Sequence, residues 1–479
     1  MFTLLSIFFL LFTDKVGSER ICLSPTAIEM REERGIAIDQ LDYEVSPLYV
    51  DSVQALGAKV LHTSRWFNGA TVQASDEVIK QIQHCSFIDT VYLTRRGKTS
   101  LLHPSLSLHK RDVDMALDQT ENSNSKLGSN AQHHLLNLLP LHLAGYNGQG
   151  IRIGVADGGF YHADELASLP HDQWLGYADF TDDKDDFFGT SGSHGTLCLS
   201  AIVAQKRLSD TTSLIDLHYR GAATEAEYFL FRTEEHSTES PKEIDNWVAA
   251  IEMADSLGLH IVSTSLGYTQ FDDRRFDFSY ADMDGRTSRG AQAAAIATRK
   301  GLLLVMAIGN DGNKAWHYLS TPADADSVIT VGAVDINRDI AEFSSYGPSA
   351  DGRIKPEVCA VGKETVLINP SNNMLQSGNG TSFACPLIAG MAACLWSALP
   401  HASNMEIRER IIRSADRYTQ PHEHYGYGIP NAWLAYTMSL STHLPPIHRT
   451  STAEKILRDG QIYIINQGQT YDLLGTKIN

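Results

Sequence analysis

Residues Gly378 to Trp396 read GNGTSFACPLIAGMAACLW, and this stretch decides how the rest of the chain is interpreted. Two glycines precede Ser382, which predicts a tight loop, because glycine tolerates unusual φ values and close backbone approach. The small and apolar residues that follow predict a thin helix through a packed interior. We expect Pro386 to lie in the first helical turn, where the early N–H groups have no intrahelical partner.

A serine at the start of such a helix has two interpretations. Its hydroxyl lies beside unpaired backbone N–H groups that favour developing negative charge, as the nucleophile of a hydrolase requires. Alternatively, Ser382 or its neighbour caps an ordinary core helix. Three further segments decide between these interpretations.

From Ala131 onward, apolar runs of strand length alternate with segments of helix length. Continuous apolar strands with helices between them predict an α/β domain, with a mostly parallel sheet covered by helices on both faces. In such sheets the chemistry collects outside the carboxyl ends of the strands. The predicted strands are Ile151–Ala156, Ile261–Leu266, Leu302–Ile308 and Val328–Val334, and the predicted helices are Ile244–Leu257 and Ala291–Lys300.

Three polar residues lie at the ends of such elements. Asp157 ends the first predicted strand, His194 opens a helix of small and apolar residues, and Asn310 follows the buried run LLLVMAIG. A carboxylate can fix the tautomer of a histidine, a histidine can take the proton of a serine, and an amide can donate to an oxyanion. Each motif alone is weak, since Asp-Gly-Gly is a common turn and Asn often ends a strand.

Together, these segments resemble those of the subtilisin-like serine peptidases. The match rests on Gly-Thr-Ser-x-Ala-x-Pro at Gly380–Pro386, on His-Gly-Thr at His194 and on Gly-Asn at Asn310. The acid, the histidine and the serine also follow one another in that family's order. One departure is Gly158, where the family usually has serine or threonine after the acid.

The resemblance implies a role for each residue. Ser382 would be the nucleophile and His194 its base, while Asp157 would orient His194. Asn310 and the Ser382 N–H would hold the oxyanion. No cofactor is needed for this chemistry.

The segment Ser263–Gly267 resembles the one that pairs with the substrate backbone as an added strand. An ordinary core strand is the alternative. The substrate-binding residues implied by the resemblance are Ser265, Leu266, Gly267 and Gly309.

Two oxygen-rich loops are candidates for structural calcium, which subtilisin-like enzymes frequently bind. One is Asp182–Asp186 and the other carries Asp282 and Asp284. Neither loop has the full EF-hand spacing, so solvated acidic loops are the simpler interpretation.

Residues 20 to 97 form a separate small α+β unit in the predicted order helix, strand, strand, helix, strand. An Asn68-Gly69 turn joins its first two strands. The unit resembles the inhibitory propeptide that precedes subtilisin-like catalytic domains, which makes it an intramolecular partner of the active site. The alternative is an independent binding domain.

The two ends of the chain carry further signals. The apolar run Phe2–Phe12 is too short to span a bilayer and resembles a signal-peptide core, with Val16–Ser18 offering small residues for cleavage. Near the other end, Asp459-Gly460 lies between apolar alternations and predicts a hairpin. That tail resembles the short sorting segments of exported Bacteroidetes proteins, although it could instead dock on the catalytic domain.

Residues 98–130 are polar and patternless, which is typical of an exposed, cleavable linker. Maturation would cut within this linker, which contains Lys110-Arg111, or just before it at Arg95-Arg96. The predicted organisation is 1–18 signal peptide, 19–97 propeptide, 98–130 linker, 131–441 catalytic domain, and 442–479 linker with a terminal hairpin.

The composition agrees with several folded units. The chain has 479 residues, of which 43% are hydrophobic. Its net charge of −18, without a basic patch, argues against nucleic-acid binding. We expect no transmembrane segment in the mature protein. The six cysteines form no zinc pattern, and whether Cys22 pairs with Cys85 stays open.

The sequence therefore predicts a subtilisin-like serine endopeptidase that is made as a zymogen, exported, and active on protein or peptide substrates. Two alternatives use the same scaffold. One is an inactive, peptide-binding pseudopeptidase, and the other is an acyl transferase or peptide cyclase.

Overall fold

The computed structural model describes residues 5–97, 130–182, 186–189, 192–207 and 218–439, together with the backbone of four C-terminal strands. It divides into two units, Met1–Thr437 and Met438–Asn479. Most of the predicted linker, the pair Lys110-Arg111 and the segment Leu444-Pro-Pro lie outside the described residues.

The larger unit begins with a small domain built on a four-stranded sheet. All of its neighbouring strands pair antiparallel, in the order β2-β3-β1-β4. Proline opens two of its helices, where a missing N–H costs no hydrogen bond. Its elements are β1 (Leu5–Phe12), α1 (Pro25–Glu33), α2 (Pro47–Ala55), β2 (Lys59–Ser64), β3 (Gly69–Ser75), α3 (Asp76–Ile82) and β4 (Ile88–Arg95).

The strand β1 lies within the segment that the sequence analysis predicts as a signal peptide, which stays a prediction. This strand lies inside the sheet, between β3 and β4, and Leu10 is fully buried in the core of the domain. A boundary at residue 18 would remove an interior strand and expose its neighbours on both sides. Composition alone cannot distinguish a buried strand from the core of a signal peptide in so short an apolar run, because both need the same residues.

The catalytic part of the larger unit is organised around a seven-stranded sheet. Its strand order is β13-β12-β11-β10-β5-β9-β6, and every neighbouring pair is parallel. The elements are α4 (Asn130–Leu135), α5 (Leu139–Leu143), β5 (Arg152–Asp157), β6 (Trp174–Asp179), α6 (His194–Val203), β7 (Gln205–Arg207), β8 (His218–Arg220), β9 (Glu227–Arg232), α7 (Pro241–Leu257), β10 (Ile261–Thr264), α8 (Arg289–Arg299), β11 (Leu303–Ala307), β12 (Ile329–Val334), β13 (Val358–Val361), β14 (Thr365–Ile368), β15 (Leu375–Gly378), α9 (Thr381–Ala398), α10 (Asn404–Arg413) and α11 (Ala432–Thr437).

The sheet is buried on both faces, as its continuous apolar strands predict. In β11, Leu303 and Val305 pack in the core with α6 and α9, whereas Leu304 and Met306 pack in the core with α7 and α8. Among the described residues, α9 alone is long and apolar enough to cross a membrane by length and composition. As 89% of it is buried inside the protein, we interpret it as a core helix.

Pro386 lies deeper in α9 than the sequence analysis expects. The helix begins at Thr381, so the proline falls in the second turn, where its missing N–H leaves the Ser382 carbonyl without its usual i+4 donor. Side chains from two other elements replace that donor. Ser265 Oγ donates to the carbonyl oxygen at 2.8 Å and Cys198 Sγ donates at 3.3 Å.

The smaller unit contains four antiparallel strands: β16 (Glu454–Arg458), β17 (Gln461–Asn466), β18 (Gln469–Tyr471) and β19 (Lys477–Ile478). Arg458 pairs with Gln461, and the predicted turn at 459–460 lies outside the described residues. A role as a sorting segment stays a prediction.

The N-terminal domain docks on α7 of the catalytic part through buried charged groups. Glu252 accepts hydrogen bonds from the Ser64 hydroxyl and from the backbone N–H groups of Arg65 and Trp66. One helical turn later, the Asp255 carboxylate binds the guanidinium of Arg65 and, at 2.7 Å, that of Arg31. A third group pairs Lys300 with Asp42 at 2.7 Å.

Asp255→Asn should therefore loosen this interface. Two buried guanidiniums would lose their shared anion, a change that costs about 3–5 kcal/mol where a buried pair is broken. We expect a clear drop in the unfolding midpoint of the precursor, measured in a Ser382→Ala background that keeps the chain intact. Asp51→Asn, on the exposed side of α2, is the matched control, and equal midpoints for the two variants would contradict the prediction.

Candidate active site

The predicted catalytic residues come together at the carboxyl edge of the parallel sheet. Asp157 is the last residue of β5, and Asn310 follows β11. His194 opens α6, and Ser382 is the second residue of α9, preceded by Gly380 as the N-cap. All four line one cleft with a volume of about 1090 Å³. Ser382 is therefore not the cap of its helix.

The Asp157–His194 pair is fully formed. Nδ1 of His194 lies 2.8 Å and 3.0 Å from the two carboxylate oxygens of Asp157, which is completely buried. The backbone N–H of Gly158 donates to the same carboxylate at 2.8 Å. Burial lowers the pKa of His194, but the charge and hydrogen bond of Asp157 outweigh it and hold this pKa well above its usual value.

The opposite nitrogen of His194 is available for chemistry. Its Nε2 has no hydrogen-bond partner among the described residues. The Ser382 hydroxyl donates at 3.4 Å to the carbonyl of Ser265, and the neighbouring Phe383 ring lies 5.6 Å from the imidazole. Bonds between catalytic groups are often long before substrate binds, and a serine hydroxyl moves by rotation about a single bond.

The Asn310 side chain has a fixed orientation. Its oxygen accepts hydrogen bonds from the backbone N–H and the hydroxyl of Thr381, both at 2.9 Å. Since a backbone N–H can only donate, the atom that faces it must be the amide oxygen, and the amide nitrogen is left to donate elsewhere. This arrangement suits a donor to a developing oxyanion. The sequence analysis missed Thr381 as the residue that orients the amide.

The predicted substrate-binding residues Ser265, Leu266, Gly267 and Gly309 all line the same cleft. A Cβ atom on Gly267 would lie 2.0 Å from the hydroxyl oxygen of Ser320, so only glycine fits there. The backbone of Gly309 has a φ of 117°, a value that side chains disfavour.

The carboxylates proposed for calcium have other partners. Asp282 accepts from the backbone and hydroxyl of Ser279, both at 2.7 Å, and Asp284 accepts from the backbone N–H groups of Arg286 and Thr287. These carboxylates stabilise local turns, and their donors leave them a poor fit for calcium. In the other loop, residues 183–185 lie outside the described part of the chain.

The sequence analysis also missed four acidic residues in the cleft: Glu234, Glu235, Glu239 and Glu243. They lie between the end of β9 and the first turn of α7, and we call them the acidic wall. Their position in the sequence could have indicated a functional role, because several glutamates follow the carboxyl end of a strand of the parallel sheet, where active sites collect.

Comparison with known proteins agrees with this geometry. The model of the subtilase family, Peptidase S8, matches residues 148–428. The chain belongs to the subtilase family. A second family model, the Peptidase S8 propeptide domain of Bacteroidota, matches residues 8–105, which include most of β1.

Several known proteins are similar to this chain. Subtilisin DY of Bacillus licheniformis is 30% identical over 61% of this chain and 92% of its own length. Serine protease AprX of Bacillus subtilis strain 168 is 26% identical over 73% of this chain and 75% of its own. A crystal structure of MycP1 from Mycobacterium smegmatis has a TM-score of 0.49, with 21% identity over 65% of this chain and 85% of that one.

The protein is thus a serine endopeptidase of the subtilase family, and its chemistry requires no cofactor. The N-terminal domain is the propeptide domain of such a peptidase. The described structure contains no disulfide, and Cys22 and Cys85 are both free thiols.

The contact between Asp157 and His194 predicts a pH effect. Burial lowers the pKa of the imidazole, and Asp157 is the main group that opposes this effect. The acid limb of the kcat/KM profile of Asp157→Asn should therefore move to lower pH. The plateau should fall roughly 10⁴-fold because the tautomer is no longer fixed. A pH–rate profile with a peptide substrate measures both effects, with the exposed Asp164→Asn as control. An unchanged profile would contradict the assignment.

Proposed function

We propose that this subtilase is made as a zymogen and cleaves peptide bonds with Ser382 as nucleophile and His194 as general base. Asp157 orients His194, and Asn310 with the Ser382 N–H stabilises the oxyanion. The observation that carries the proposal is the Asp157–His194 pair. Nε2 of His194 has no partner among the described residues, and both residues line the same cleft as Ser382.

The reaction follows from these positions. Ser382 Oγ attacks the scissile carbonyl while Nε2 of His194 takes the proton of the Ser382 hydroxyl. The Asn310 amide and the Ser382 N–H donate hydrogen bonds to the carbonyl oxygen, on which negative charge develops. When the tetrahedral intermediate collapses, His194 gives the proton to the departing amine. A water molecule, deprotonated by the same nitrogen, then attacks the acyl-enzyme and releases the second product together with Ser382.

We further propose that the propeptide domain inhibits the enzyme until it is cut away, and that the enzyme acts at the cell surface or outside the cell. The docking of this domain on α7 supports inhibition, because the chain leaves its last strand beside the cleft. The resemblance of the terminal hairpin segment to sorting tails supports export. Fractionation of cells that produce the full chain tests the location.

Processing of the precursor tests the nucleophile. Purified wild-type chain should cut itself between residues 95 and 130, so that sequencing detects a new N-terminus in that segment, whereas Ser382→Ala should stay intact and hydrolyse no peptide. Ser397→Ala, which changes another serine of α9, is the matched control and should mature normally. Self-cleavage by Ser382→Ala would eliminate this mechanism.

Loss of the Asn310 amide should slow catalysis and leave substrate binding nearly unchanged, because the oxyanion exists only in the transition state. We expect a fall in kcat of about 10²–10³-fold for Asn310→Ala, the loss known for such a donor in subtilisin and carried over from it. Steady-state kinetics separate kcat from KM. Asn337→Ala, which is exposed and does not line the cleft, is the control. A loss confined to KM would remove Asn310 from the oxyanion hole.

A further inference from the structure

The acidic wall forms one side of the catalytic cleft and already holds a cation. The last residue of β4 in the propeptide domain, Arg95, reaches across to it. One nitrogen of the Arg95 guanidinium bonds to Glu235, and another lies 3.0 Å from a carboxylate oxygen of Asp182. A guanidinium is therefore bound by Glu235 of the wall together with Asp182, which lies outside the wall as defined above.

Glu235 and Asp182 together form a receptor for that guanidinium. Both carboxylates also bind the ammonium of Lys242, which is buried beneath them, and the lysine lies 3.1 Å from Asp182. Burial raises the pKa of Asp182, but Lys242 and Arg95 outweigh it and keep this pKa below its usual value. When the propeptide leaves, Lys242 is the cation that remains for the two carboxylates, of which Glu235 lines the cleft.

The other acids of the wall have different tasks. Glu243 accepts from the backbone N–H groups of Glu235 and Ser240, both at 2.9 Å, and so fixes the course of this segment. Glu234 accepts from the Tyr268 hydroxyl at 2.6 Å, and burial raises its pKa to about 7. Glu235 and Asp182 are the two carboxylates that bind cations here.

The position of Arg95 in the chain tells which part of a substrate would reach this receptor. The propeptide precedes the bond that maturation cuts, so Arg95 lies on the amino-terminal side of that bond. A substrate that enters the cleft in the same direction would bring residues from the amino-terminal side of its scissile bond to Glu235 and Asp182.

We infer that the Glu235–Asp182 receptor selects substrates with an arginine or lysine on the amino-terminal side of the cleaved bond. This inference rests on the proposed function and adds a substrate class to it. Two charge-assisted hydrogen bonds to a planar guanidinium favour arginine over lysine. The propeptide occupies the receptor first and thereby keeps basic substrates out.

The test uses matured enzyme from the full chain and matched peptides that differ at one residue. Arginine is compared with norleucine at successive positions amino-terminal to the cleaved bond. At one position we expect arginine to raise kcat/KM about 10- to 100-fold, the range for hydrogen bonds to a charged group. In Glu235→Gln this ratio should fall below about threefold, whereas in the exposed Glu165→Gln it should stay at the wild-type value.

The ratio of two substrates in one enzyme sample does not depend on how much of a variant folds. Wild-type enzyme that cleaves both peptides equally well at every position would overturn this inference and leave the proposed function standing. Wild-type enzyme that cleaves neither peptide and does not react with a serine-directed phosphonate would instead overturn the proposed function. A wild-type preference that persists in Glu235→Gln would show that the receptor serves the propeptide alone, and would also overturn the inference.

Discussion

The active site depends on the hydrogen bonds that the backbone carbonyl of Ser382 accepts. Pro386 cannot donate to the Ser382 carbonyl, so this buried acceptor needs partners from outside its helix, and an unpaired buried carbonyl is costly. Ser265 from the end of β10 and Cys198 from α6 supply them. The start of α9 is thereby tied to the strand end that borders the substrate cleft and to the helix that carries His194. Because Pro386 leaves this carbonyl without a donor inside α9, the fold needs Ser265 and Cys198 beside it. The fold therefore keeps the end of β10, α6 and the start of α9 in fixed relative positions.

Around this junction, fixed dipoles and one buried charge set the electrostatics. Asp157 is fully buried, and it is tolerated because His194 and the N–H of Gly158 satisfy it. Asn310 is held by Thr381, the residue directly before Ser382. The amide and the serine therefore keep their relative position without help from substrate. Preorganised donors of this kind cost no reorganisation at the moment of reaction.

The propeptide domain uses the same physical means on a larger surface. Its arginines meet carboxylates of the catalytic part at α7 and again beside the cleft, so most of the described charge pairs across this interface place the cation on the propeptide. Buried pairs of this kind give specificity more reliably than stability. These pairs hold the propeptide domain in position beside the cleft. Each pair can be broken on its own when the propeptide is cut and dissociates.

The sequence alone determined the fold class, and it predicted the residues that the structure brings to one cleft. Apolar runs ending in Asp157, at Ser265 and before Asn310 predict parallel strands, and parallel strands bring their carboxyl ends to one edge whatever their order in the sheet. Other features came from contacts between segments far apart in the chain, which no local pattern encodes. Three contacts are of this kind: the hydrogen bonds between Thr381 and Asn310, those to the Ser382 carbonyl, and the ion pairs of Arg95 with Glu235 and Asp182. The apolar run at residues 5–12 shows the same limit, because burial in a sheet and export as a leader require the same composition, and only strand pairing distinguishes them.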